Sequence, residues 1–98
     1  MFVCAAPPTI AINPPSQTLE PGQRFIMRCT AEGSGPITIQ WNKMDGAMNR
    51  DAIIDGGNLE IPSVSARDAG RYRCVAVNQV GRAEGYADVN IPCELYEG

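Results

Sequence analysis

Four residues constrain this chain more than any others: Cys29, Trp41, Tyr72 and Cys74. Each falls on the apolar face of a short alternating segment. In QRFIMRCTA (23–31), Phe25, Met27, Cys29 and Ala31 share one face, and Arg24, Ile26, Arg28 and Thr30 fall on the other. In ITIQWNK (37–43), Ile37, Ile39 and Trp41 oppose Thr38, Gln40 and Asn42. In RYRCVAVN (71–78), Tyr72, Cys74 and Ala76 face inward. A period of two is that of a strand with one buried face. Two cysteines, an indole and a phenol then stand on the buried faces of three strands, with the cysteines on different ones.

The remainder of the chain has the same texture. No segment sustains a 3.6-residue period, so the fold class is all-β. PTIAIN (8–13) and SQTLE (16–20) are extended pieces split by Pro14 and Pro15, which suit an edge strand that breaks and moves on. Pro21-Gly22 is a turn signal and EGSGP (32–36) a loop. MDGAMNRD (44–51) reads as a loop or a short edge strand, and AIIDGGN (52–58) as a brief strand ending in a turn. LEIPSV (59–64) buries Leu59, Ile61 and Val64, SARDAG (65–70) turns, and RAEGYADVNI (82–91) aligns Ala83, Gly85, Ala87, Val89 and Ile91 on one face. Roughly eight strands with turns every 8–12 residues predict a β-sandwich.

Composition narrows the function. The chain has 98 residues, enough for one small domain, and is 44% hydrophobic and 19% charged. No apolar run approaches the ~20 residues that a membrane helix needs. The start, MFVCAAPPTI, lacks a basic n-region and meets prolines early. We therefore expect no signal peptide here, Met1 as an added start, and a chain that is a piece of something longer. A net charge of −3 offers no bulk attraction to nucleic acid or anionic membrane. Histidine is absent, and with it the usual general base and the commonest metal ligand. The cysteines at 4, 29, 74 and 93 contain no Cys-x-x-Cys knuckle, so neither a metal site nor a cofactor is expected. Four cysteines in so small a chain favour disulfides and an oxidising compartment, and leave the pairing open.

The run Cys29…Trp41…Leu59-Glu60-Ile61…Asp68-Ala69-Gly70-Arg71-Tyr72-Arg73-Cys74 resembles an immunoglobulin domain of the I-set type, over about residues 8–91. The pattern N-x-x-G-x-A-x-x-x-A-x-V-x-I from Asn78 to Ile91 matches that family's last hairpin and strand. The stretch from Asp45 to Gly81 is similar to the immunoglobulin repeats of perlecan, the basement-membrane heparan sulfate proteoglycan; titin-like muscle domains and neural adhesion receptors share much of it. The resemblance implies an immunoglobulin-like β-sandwich whose two sheets are joined by a core disulfide between Cys29 and Cys74, with Trp41 packed against it. It implies that the Tyr72 hydroxyl bonds back to the chain near the preceding corner, and that Gly70 turns there with a positive φ. Asp68, at the same corner, is expected to pair with Arg50. The domain is expected over 8–92, with linkers at 1–7 and 93–98. In such a sandwich Cys4 and Cys93 stand at opposite poles. The last strand spans roughly 26 Å, whereas a disulfide tolerates only ~4.4–6.8 Å between α-carbons. We expect these two cysteines not to pair with each other, but to stay free or reach a neighbouring domain.

The implied function is that of a non-catalytic extracellular module, secreted into matrix or basement membrane or carried at a cell surface. It would act as a spacer and a protein-interaction surface, with matrix or cell-surface proteins and neighbouring immunoglobulin domains as partners. The alternatives are an adhesion-receptor ectodomain and an intracellular muscle domain. Arg71 and Arg73 point outward on one sheet with Lys43 on the neighbouring strand, and Arg24 and Arg28 point outward on the other. Either group is a candidate for weak contact with a sulfated glycan. The plainer reading, favoured by the net charge, is solvated arginines paired across strands with Glu60, Glu84 or Asp88. Val75, Val77 and Tyr86 form a candidate apolar patch. Ser34-Gly35 beside Glu32 resembles a xylose-attachment site, but Gly and Ser are also what a flexible loop uses. No Asn-x-Ser/Thr sequon occurs, so both sheet faces are expected bare of N-glycan.

Overall fold

The computed structural model describes residues 7–92. Cys4 and Cys93, and with them the expectation about their pairing, lie outside the described residues. Among those described, eight strands form: β1 (Thr9–Asn13), β2 (Ser16–Thr18), β3 (Phe25–Glu32), β4 (Thr38–Lys43), β5 (Ile53–Asp55), β6 (Asn58–Ile61), β7 (Gly70–Val77) and β8 (Arg82–Asn90), with one 3-10 turn at Ala66–Asp68. One sheet has the order β1-β3-β6-β5 and the other β2-β8-β7-β4. All pairings are antiparallel except β2 with β8.

The chain changes sheet at Pro14-Pro15. β1 pairs with β3 through Asn13↔Arg28, and β2 resumes against β8 at Ser16↔Asp88. Proline lacks the N–H a ladder requires, so two in succession release the strand from one sheet. Asn13–Pro14 is a cis bond.

The core is made by the faces that the alternation selects. Phe25, Met27, Cys29, Leu59 and Ile61 come from the first sheet; Trp41, Tyr72, Cys74, Ala87 and Val89 come from the second; Val64 and Ile91 close the lower end. A disulfide joins Cys29 on β3 to Cys74 on β7 across the two sheets, with 6.5 Å between the α-carbons. Trp41 lies directly opposite Cys74 in the β4–β7 register. Its indole N–H donates to the Gly57 carbonyl at 3.0 Å, so the buried ring keeps its polar tip satisfied.

Two glycines permit close approach, one within a sheet and one between the sheets. A Cβ at Gly57 would sit on the Cys29 carbonyl, far inside contact distance. The close approach is used: the Cys29 N–H donates to the Gly57 oxygen at 2.7 Å. A Cβ at Gly85 would lie 2.9 Å from Ile10 and 3.0 Å from Ile12, the β1 side chains that cover β8.

Residues 44–51 form a loop, so of the two sequence readings of MDGAMNRD the edge strand is absent. β4 is therefore an edge strand itself. β5 is reduced to three residues, all exposed.

Candidate functional site

Two surfaces gather most of the residues that the sequence singles out. The first is the lower corner, where the 3-10 turn leads into β7. The Tyr72 hydroxyl donates to the Asp68 carbonyl at 2.7 Å, four residues back. Burial raises the Tyr72 phenol well above its ordinary value, and Asp68 and Asp45 add to the effect, which favours the protonated hydroxyl that donates this bond. Gly70 has φ +137°, and a Cβ there would lie 2.6 Å from the Asp45 carboxylate. The positive φ favours glycine, and any larger residue would also have to displace the exposed Asp45 side chain.

Asp68 is buried, with 3% of its surface exposed. The expected ion pair with Arg50 is not what holds it. The Asp68 carboxylate accepts from Asn49 Nδ2 at 3.1 and 3.2 Å and from the Ser65 backbone N–H at 2.9 Å, while Arg50 is exposed. Neutral donors satisfy the carboxylate without drawing a guanidinium out of water. Asn49 also receives the Asp51 N–H on its Oδ1 at 2.7 Å, a local turn that fixes the amide toward the corner. The sequence reading missed Asn49; the signal was the Asn-x-Asp spacing of Asn49 and Asp51.

Lys43 does not extend the outward basic strip with Arg71 and Arg73. It has the same parity on β4 as Trp41, and lies opposite the buried Tyr72 in register. Its side chain is only 4% exposed. The ammonium donates to the Asp45 carbonyl at 2.6 Å, lies 3.5 Å from the Asp45 carboxylate, and stands 5.9 Å over the Tyr72 ring. Lys43 in turn holds the Asp45 carboxyl below its ordinary range. Loop and corner enclose a cleft of about 640 Å³. Its lining carries Lys43, Arg50 and Arg67 against Asp45, Asp51 and Asp68, so its charges balance.

The second surface is the outer face of the β2-β8-β7-β4 sheet. Register places Arg71 opposite Asp88, Arg73 opposite Tyr86, Val75 opposite Glu84 and Val77 opposite Arg82. Arg71 Nε donates to Asp88 at 3.0 Å, and its guanidinium lies 5.8 Å over the Tyr86 ring. Arg82 pairs with Glu84, and the Tyr86 hydroxyl donates to Glu84 at 3.0 Å. The Arg82 bond, followed by that from Tyr86, holds the Glu84 carboxyl below its ordinary range. Arg73 is half-buried, and its Nε is buried with no hydrogen-bond partner among the described residues. Val77 and Tyr86 are each 44% exposed. Val75, expected in the same patch, is buried instead, because long neighbours flank it on both sides: Gln40 on β4 and Glu84 on β8.

On the opposite sheet Arg24 pairs with Glu60 at 2.7 Å, and Arg28 donates to Asn58 at 3.2 Å. In the 32–36 loop the Ser34 carbonyl receives Asn78 Nδ2 at 3.0 Å, so this loop is tied to the β7–β8 turn. Among the described residues, no three acidic, cysteine or histidine side chains gather as a metal site, and no helix is long and apolar enough to cross a membrane.

Comparison with known proteins agrees with this geometry. The model of the family described as immunoglobulin domain matches residues 7–78. Over 84 residues the chain is 34% identical to the basement membrane-specific heparan sulfate proteoglycan core protein of Mus musculus, covering 86% of this chain and 2% of that protein. It is 39% identical over 79 residues to the human MAM domain-containing glycosylphosphatidylinositol anchor protein 1, covering 78% of this chain and 8% of that protein. It thus spans less than a tenth of either relative. Among solved structures, the N-terminal four Ig domains of Dscam1 isoform 1.9 superpose with a TM-score of 0.76 at 31% identity, over 90% of this chain and 22% of that one.

Proposed function

Because the chain belongs to the immunoglobulin domain family, we propose that it is a non-catalytic I-set module of a multidomain extracellular protein. It spaces neighbouring domains and presents protein-binding surfaces, in a matrix proteoglycan of the basement-membrane kind. The observation that carries this reading is the 34% identity, over most of the chain, with a basement-membrane proteoglycan core protein. The cross-sheet disulfide adds support, since such bonds persist in oxidising compartments. So does the path of the chain. It enters beside Gly33 and Gly81, where Pro7 packs, and β8 ends at the other pole, where the Leu19 N–H donates to the Asn90 carbonyl. Entry and exit at opposite poles suit beads joined end to end.

On this reading residues 8–92 are the module and 1–7 and 93–98 are linkers. On the same reading Cys4 and Cys93 do not pair with each other, and either stay free or reach a neighbouring domain. A second reading, an ectodomain module of a lipid-anchored or adhesion-type cell-surface protein, draws on the 39% identity with a glycosylphosphatidylinositol anchor protein. Cell fractionation of the intact parent protein separates the two. A matrix module stays in the detergent-insoluble extracellular fraction, and an anchored one is released by phosphatidylinositol-specific phospholipase C. Recovery in the cytosol with all four thiols alkylatable refutes both.

A further inference from the structure

On the outer face of the β2-β8-β7-β4 sheet, two of the three β7 and β8 arginines are already matched with carboxylates. Arg71 holds Asp88 and Arg82 holds Glu84. Arg73, between them on β7, has no carboxylate within ion-pair distance among the described residues, and its Nε is buried without an acceptor. An unmet guanidinium donor weighs against folding. The Arg73 side chain is nevertheless held half-buried, with Asn42 opposite on β4 and Tyr86 opposite on β8. The face therefore carries three arginines against two carboxylates; Arg73 acts on Glu84 only at longer range, and Glu84 already takes the Arg82 and Tyr86 bonds, so Arg73 keeps no carboxylate of its own. Directly opposite it on β8 lies the exposed Tyr86 ring. A partly desolvated arginine beside a tyrosine, ringed by engaged polar groups, is the composition of a binding hot spot.

We propose that this face docks a protein partner presenting a single carboxylate side chain to Arg73 beside an otherwise uncharged, apolar group that covers the Tyr86 ring. The proposal rests on reading the chain as a protein-binding module, and it names the chemistry of the partner. Charge selects that chemistry. A carboxylate takes the guanidinium fork in two parallel bonds, and the bond strengthens as the partner excludes water. A sulfated glycan is disfavoured, since a polyanion laid along the face meets Glu84 and Asp88 as well as one unengaged arginine. Arg71–Asp88 and Arg82–Glu84 lie in the register rows on either side of Arg73 and Tyr86, so an apolar group without further charge there leaves both ion pairs at the rim.

The test is a nuclear magnetic resonance titration of the 98-residue chain with three probes: acetyl-Gly-Asp-Leu-amide, its Asn twin and a sulfated heparin disaccharide. The expected result is a saturable shift of the Arg73 Nε–Hε resonance and of the Val75 and Tyr86 amides with the Asp peptide. Binding should weaken about tenfold with the Asn twin, and about tenfold in Arg73→Gln, the loss expected for one charge-assisted bond. Arg73→Lys, which keeps the charge and loses the fork, should fall between the two. Unchanged backbone spectra outside β7 and β8 in both variants show that the fold is retained. No saturable shift, equal response to the Asp and Asn peptides, tighter binding of the disaccharide, or a response centred on Arg24 and Arg28 overturns the proposal. Any of these leaves the module reading standing, because fractionation of the parent protein judges that separately.

Discussion

At Tyr72 a single hydroxyl fastens two parts of the chain. It reaches back to the Asp68 carbonyl, while the Asp68 carboxylate gathers Asn49 and the Ser65 N–H. The corner is a set of hydrogen bonds in which each member positions the next. Tyr72→Phe keeps the ring and its packing against Phe25 but leaves a buried carbonyl unmet, so we expect a loss of about 1–2 kcal/mol in urea unfolding. An unchanged midpoint would show that the carbonyl finds water or another donor. Gly57 makes the opposite demand, for nothing at all in the place of a side chain. Gly57→Ala drives a methyl into the Cys29 backbone carbonyl, which no rotamer change relieves. We expect about 3 kcal/mol or more of destabilisation, seen as a lowered melting temperature together with a changed indole emission, since Trp41 donates to the same glycine. Native-like melting and emission in that variant would sink this account.

At the scale of elements, the disulfide ties a central strand of each sheet, β3 and β7, across a separation of 45 residues. The chain-entropy argument assigns such a loop about 4 kcal/mol, a large share of the roughly 5–15 kcal/mol that stabilises a domain. The double variant Cys29→Ala, Cys74→Ala should therefore unfold at a much lower denaturant concentration, and an unchanged midpoint would mean that packing alone holds the sheets together. Trp41, beside that bridge on the edge strand β4, fills volume no neighbour supplies. Trp41→Ala should cost about 3–5 kcal/mol, measured by the same denaturation. Proline placement acts at this scale too: Pro14-Pro15 hands the first extended stretch from one sheet to the other, which lets a single run of sequence edge both layers.

For the molecule as a whole, charge sets how stability responds to acid. Lys43 lowers the Asp45 carboxyl, and the bonds from Arg82 and Tyr86 lower that of Glu84. Both groups favour the folded state in their ionised form. Their contribution is complete above the ordinary carboxylate range, about 4. It is lost as the pH falls through the lower folded values, because the unfolded chain takes up its protons first. Both carboxylates are solvent-accessible, so the effect is small and screened by salt. We expect a melting temperature that is level from about pH 7 to about pH 5 and falls below about pH 4. The slope should be shallower in Glu84→Gln and in high salt. An acid limb identical in wild type and variant would remove Glu84 from the explanation.

The sequence by itself determined the sandwich and most of its interior. Phe25, Met27, Cys29, Trp41, Leu59, Ile61, Tyr72, Cys74 and Val89 all lie on faces that the two-residue period selects, because one buried face per strand is a local property of the chain. The break at Pro14-Pro15 was legible for the same reason: a missing N–H is written in the residue itself. What only the tertiary structure decided is who meets whom across the gaps between strands. Alternation already assigned Lys43 to the Trp41 face, but its turn back onto Asp45 depends on a loop of no fixed period. Asp68 took Asn49 rather than Arg50, because burial rewards the donor that sits close and uncharged over the one that carries more charge. Val75 went under its long neighbours while Val77 stayed exposed. Arg73 came to lie between two completed ion pairs, a consequence of register that no single strand contains.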